Sequence, residues 1–90
     1  METNGEVVVR FSRHAIQRAG ERGADPKAIR RIVVGLAPRL APFVGHRVAL
    51  VRKGRPIPIV RPTSRCIEVI TVLAADQQVI RSDTVPVTVG

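Results

Sequence analysis

The sequence predicts an α+β fold: an N-terminal strand, then a two-helix hairpin packed on a small, mostly antiparallel sheet of three to five strands. Three observations point there. Two stretches, from about Arg13 and from Lys27, space their apolar residues as a helix does; β-branched runs lie before and after them; Gly, Pro and Asp punctuate the joins. Ninety residues make one small domain, and with 44% hydrophobic residues but only two aromatics its core must be built from Val, Ile, Leu and Ala. Residues 1–5 read as a flexible lead, 6–81 as the domain and 82–90 as a tail or edge strand. No internal repeat or low-complexity segment interrupts it.

Glu6–Phe11 holds three adjacent valines and then a basic–aromatic step, which favours a strand. Ser12 can cap the following helix with its hydroxyl, and Gly23 can end it in the left-handed conformation. Within that helix Ala15, Ile16 and Ala19 are expected to turn inward. His14, Arg18 and Glu21 then stand at i, i+4 and i+7 on one face, with Arg22 beside them.

Asp25-Pro26 restarts the chain as a helix, an Asp cap followed by Pro in the first turn. Ile29, Ile32 and Val33 form its buried stripe, Arg30 and Arg31 look outward, and Gly35 marks the stop. Pro38 and Pro42 argue against further helix.

Arg47–Arg52 reads as a strand and Lys53-Gly54 as a tight turn into a second extended segment, Arg55–Arg61. Pro56, Pro58 and Pro62 share one parity, so they delete donors along the same side, and this segment is expected at a sheet edge. Ser64–Leu73, almost all β-branched or apolar, is expected to be central. Ala75-Asp76 turns the chain, Gln77–Arg81 adds a short strand, and Val85, Val87 and Val89 alternate in the tail.

The net charge is +8, unevenly placed. Residues 1–25 carry four acidic and four basic side chains, residues 26–65 ten basic and none acidic, residues 66–90 three acidic and one basic. A basic block with near-neutral flanks is the footprint of a surface that meets a polyanion, so RNA or the ribosome is the expected partner. Arg22, Arg30, Arg31, Arg47, Arg52, Lys53, Arg55, Arg61 and Arg65 are the candidate nucleic-acid contacts. Two plainer readings compete: thirteen of the fifteen basic residues are Arg, as base composition alone can produce, and the block can complement an acidic protein.

Other chemistries are disfavoured. No apolar run reaches membrane-spanning length and the N-terminus lacks the pattern of a secretory signal, so a cytoplasmic location is expected. Cys66 is alone, which rules out an internal disulfide, and its neighbours suggest a buried or half-buried strand thiol. His14 and His46 with Glu21 or Glu68 match no ligand spacing, so no metal is expected. His46 reads as a loop residue. There is no phosphate-binding glycine loop, so no cofactor is expected, and two aromatics are too few for a base-stacking platform.

The run Phe-Ser-Arg-His-Ala-Ile-Gln-Arg-Ala-Gly-Glu-Arg-Gly, then Asp-Pro, an Ile/Val helix ending in Gly and a late Ile-Glu-Val-Ile-Thr-Val strand, resembles a family of short bacterial and phage proteins. By element order over residues 9–73 the chain is also similar to the RelE/ParE toxin superfamily, many of whose members cut mRNA on the ribosome. That resemblance implies a toxin-like RNA-binding protein, with a cognate antitoxin or a host protein as further partner. It also implies a metal-independent endoribonuclease in which His14, Arg18, Glu21 and Glu68 form the catalytic set. His14 would be acid or base, Arg18 with a sheet arginine the phosphate holder, and Glu68 or Glu21 the partner base. Thr71 matches the family's terminal strand. The chain departs from the toxin pattern in having no Tyr and no His after His46. The alternatives are a non-catalytic phage- or plasmid-type module that binds through the 26–65 block, an amphipathic helix whose Glu21 is tied to Arg18 or Arg22, and a homodimer paired through the valine tail or another edge.

Overall fold

The computed structural model describes residues 7–76 and 83–89. Strand β1 (Val9–Phe11) ends at Ser12, whose extended backbone and hydroxyl start helix α1 (Arg13–Glu21) by accepting the Ala15 amide at 2.9 Å. Gly23 follows the helix with φ +70°, the conformation expected of it. Asp25 then caps helix α2 (Pro26–Leu40), its carboxylate accepting the Lys27 amide at 3.0 Å. A single turn of 3-10 helix, Ala41–Phe43, leads to β2 (Arg47–Val51), β3 (Ile57–Pro62), β4 (Ile67–Leu73) and β5 (Thr84–Thr88). The expected lead at 1–5 and strand at Gln77–Arg81 fall outside the described residues; the tail supplies β5, an edge strand.

Two helix expectations are corrected. Ile16 is 47% exposed, because α1 settles on the sheet through the small faces of Ala15 and Ala19, which leaves Ile16 on the outer flank. Helix α2 does not stop at Gly35 but runs through it and through Pro38 to Leu40. Leu36 and Leu40 continue the stripe of Ile29 and Val33 at i+7 and i+11, and all four are buried. Burying two leucines is worth roughly 3–6 kcal/mol, comparable to the penalties of about 1 for Gly and 3 for Pro inside a helix.

The five strands form one mixed sheet in the order β1-β4-β3-β2-β5. The two inner pairings are antiparallel, and the outer ones, β1 with β4 and β2 with β5, are parallel. Strand β4 is interior, as expected. Strand β3 is not at an edge but in the middle, the opposite of what its prolines suggested. The tight hairpin at Arg52–Arg55 keeps β2 beside β3, and the missing donors shorten that ladder: the register to β2 covers Val48↔Val60 and Ala49↔Ile59, between Pro58 and Pro62. Pairing with β4 runs the full length of β3.

That β3–β4 register slips once, between Ile59↔Thr71 and Val60↔Val69, so Ile70 is an extra residue bulged from β4. The bulge resets the alternation and lets Val69 and Val72, three residues apart, both face the helices with no exposed surface. They join Val9, Val48, Leu50, Val60, Ile67 and Val87 under Ala15, Ala19, Ile29, Val33, Leu36 and Leu40. Neither helix covers the other sheet face, which carries a smaller cluster of Ala49, Ile57 and Ile59. Among the described residues no helix is long and apolar enough to cross a membrane.

Candidate nucleic-acid interface

Side chains at directly paired positions project from the same face of a sheet. Val9 and Ile67 are partners and face the helices, so the next pair along, Arg10 and Glu68, faces away from them. Glu68 is in turn paired with Arg61 on β3. On β2, Arg47 directly precedes Val48, which pairs with Val60 and faces the helices, so alternation turns Arg47 to the helix-free face on the strand beside Arg61. Four neighbouring strands thus contribute Arg10, Glu68, Arg61 and Arg47, in that order, to a single row across the helix-free face.

The row is charged and unspent. Arg10, Glu68 and Arg61 are exposed and Arg47 is half-buried. Among the described residues the one recorded salt bridge lies elsewhere, between Arg18 and Glu21, so Glu68 is not locked to either guanidinium beside it. The Nε of Arg47 is buried without a hydrogen-bond partner. With three cations to one carboxylate, the row attracts anions.

Two hollows adjoin it at Arg10. One, of about 400 Å³, is lined by Arg10, Phe11, Ser12, Arg61, Glu68 and Ile70, along with Val69. The other is shaped by the β3–β4 turn, where Thr63 Oγ1 accepts the amides of Arg65 and Cys66 at 3.2 and 3.0 Å and donates to the Cys66 carbonyl at 2.8 Å. That turn brings the exposed Arg65 to the same end of the sheet as the row. It also places the half-buried Cys66 in the turn, ahead of β4 rather than within it.

The remaining candidates lie elsewhere. Arg52, Lys53 and Arg55 sit at the β2–β3 turn, at the far end of β2 from Arg47, roughly 16 Å away at the usual strand rise. Arg30 and Arg31 are exposed on α2, but Arg30 reaches back to donate to the Val9 carbonyl at 3.4 Å. Arg22 is half-buried beyond the last turn of α1, its amide bonded to the Arg18 carbonyl and its Nε buried without a partner. The 26–65 block is therefore continuous in sequence but divided in space among the row, the hairpin tip and the outside of α2.

The α1 face is an ion-paired surface. Arg18 donates to Glu21 at 2.6 Å and Gln17 to its other oxygen at 3.2 Å. These two bonds, that from Arg18 first, hold the Glu21 carboxyl below its ordinary range. His14 is exposed, and no recorded hydrogen bond joins it to Arg18, Glu21 or Glu68. Glu68 projects from the opposite face of the sheet to the one on which α1 packs, so the four residues are not gathered into one catalytic group. His46 is exposed in the turn before β2.

Arg10 is the one arginine of the row absent from the candidates that charge patterning gives. The basic–aromatic step at Arg10-Phe11 was its signal, but only the register with Glu68 gives it neighbours.

No family model, curated protein or solved structure matches this chain.

Proposed function

We propose that this protein is a toxin-like RNA-binding protein that holds the sugar–phosphate backbone on the helix-free face of its sheet. The observation that carries this reading is the cross-strand row of Arg10, Arg61 and Arg47. The strands that carry them lie one or two strand spacings apart, about 5 and 10 Å between backbones, so the arginines are set on sheet strands rather than on loops. Guanidinium presents two directed donors to a phosphate, and among the described residues no ion pair neutralises the row. The excess of +8 adds long-range attraction for any polyanion.

The reading is of a binder rather than a nuclease. Metal-independent cleavage needs a base and an acid on either side of one phosphate, whereas His14 and Glu68 belong to different surfaces. The test is binding of a labelled single-stranded RNA over a salt series, with intact RNA checked on a gel from the same tubes. Removing one guanidinium from a phosphate makes the slope of log affinity against log salt shallower by about 0.7. Arg61→Ala and Arg47→Ala are expected each to lower the slope and weaken binding while folding is retained. Affinity and slope unchanged in both variants would sink the proposal, and cleavage that disappears in His14→Ala would move the case to the endoribonuclease.

A further inference from the structure

Glu68 is out of place on a surface built only for phosphates. It stands at the middle of the row, paired in register with Arg10 on one side and Arg61 on the other, and its charge repels the ligand those two attract. It is exposed and takes no part in the recorded ion pairing of the described residues, so the fold does not use it as an internal counter-ion. A carboxylate kept free between two phosphate-binding groups has a chemical use: it accepts hydrogen bonds from a base.

We propose that Glu68 is a specificity-determining residue that reads guanine in single-stranded RNA. This rests on the RNA-binding reading above and adds to it. Guanine alone among the four bases offers two adjacent N–H donors, N1–H and the N2 amino group, on its Watson–Crick edge, matching the two oxygens of one carboxylate. Adenine and cytosine each offer one amino group beside an acceptor, and uracil one N–H between two acceptors, so each sets a lone pair against the carboxylate. The hollow beside Glu68 suits a base turned out of its strand. Ile70, which packs with the cluster on the helix-free face, supplies apolar wall, and Arg10 and Arg61 beside it supply guanidinium planes and charge. Access to that edge requires an unpaired base, which specifies single-stranded RNA.

The experiment is fluorescence anisotropy with labelled seven-nucleotide oligouridines carrying one central G, inosine, A or C, on the wild type and on Glu68→Gln. The wild type is expected to prefer the G oligomer over the A oligomer by about tenfold or more, with inosine, which lacks the N2 amino group, in between. Glu68→Gln is expected to bind plain oligouridine more tightly, because a repelling charge is gone, and to lose the preference for G. Circular dichroism and the melting temperature of the variant, expected unchanged, separate a reading role from a structural one. Salt-dependent binding with no base preference in the wild type overturns the role of Glu68 while leaving the backbone-binding proposal intact, and so does an equal gain by Glu68→Gln on all four oligomers. Absence of binding to every oligomer overturns both.

Discussion

The Ser12 hydroxyl donates to the carbonyl of Ile70 at 2.8 Å while accepting the amide of Ala15 at 2.9 Å. One side chain therefore caps α1 and engages the carbonyl of the β4 bulge, and the Ser12 amide adds a bond to Val69 at 3.1 Å. The start of the helix is tied to the strand that carries Glu68, at the rim of the hollow beside the arginine row.

Removing that hydroxyl should be felt twice. Ser12→Ala is expected to cost about 1–3 kcal/mol in urea unfolding, the cap and the bulge bond together. Ser12→Asp separates the two roles, since an ionised carboxylate still accepts the Ala15 amide but cannot donate to Ile70. A destabilised Ser12→Asp is the expected outcome; wild-type stability would show that the cap alone matters.

Both sheet edges are guarded from α2. Arg30 donates to Val9 on β1 and Arg39 to Thr88 on β5, each at 3.4 Å. On β5 the Val89 amide turns inward to Val51, so Pro86 has the parity whose donor would face outward, and its ring leaves none there. Pairing through the valine tail is thereby discouraged. Pro86→Thr combined with Arg39→Ala is expected to promote self-association, read by sedimentation velocity as a concentration-dependent shift. A double variant that sediments like the wild type at all concentrations would count against the guarding role.

Pro38 lies inside α2, where it forfeits a backbone bond to Val34. Pro38→Ala restores that donor at an exposed position without disturbing Leu36 or Leu40. The variant is expected to be more stable by about 1–3 kcal/mol, and calorimetry showing a lower melting temperature would refute this.

Glu21 links acid stability to the α1 surface. Its folded carboxyl titrates below its unfolded one, chiefly through the Arg18 bond, with Gln17 next. Its contribution is therefore fully present above the unfolded pKa and is lost as pH falls through the folded pKa. Carboxyl NMR should show Glu21 titrating higher in Arg18→Ala than in the wild type; an unmoved curve would remove Arg18 as the cause.

The hairpin tip separates row from block. If the whole 26–65 block met RNA, Lys53→Ala with Arg55→Ala would cost as much affinity as Arg61→Ala. The sheet geometry assigns the larger loss, on the order of 1 kcal/mol more, to Arg61 alone. Equal losses in anisotropy titrations would restore the block.

Signals that act over a few residues were legible in the chain itself. Ser12 and Asp25 as caps, Gly23 past the helix, the turn at Lys53-Gly54 and the strand character of 67–73 each depend on a side chain and its immediate backbone. Local rules failed where distant burial outweighed them. Gly35 and Pro38 carry stop signals that Leu36 and Leu40 override by reaching the core, and the prolines of β3 shortened a ladder instead of exposing an edge.

The candidate site belongs to that second kind. Residue order alone holds the alternation that sets Arg10, Arg61 and Glu68 on one side of their strands, and the positive excess of residues 26–65. It takes the folded sheet to bring Arg10, from outside that block, beside Glu68, and to hold Arg52, Lys53 and Arg55 away from the row. Strand order and register are settled by which arrangement buries Val9, Val48, Val60, Ile67 and Val69 together beneath the helices, and a one-residue slip of any one strand would turn its member of the row to the other face.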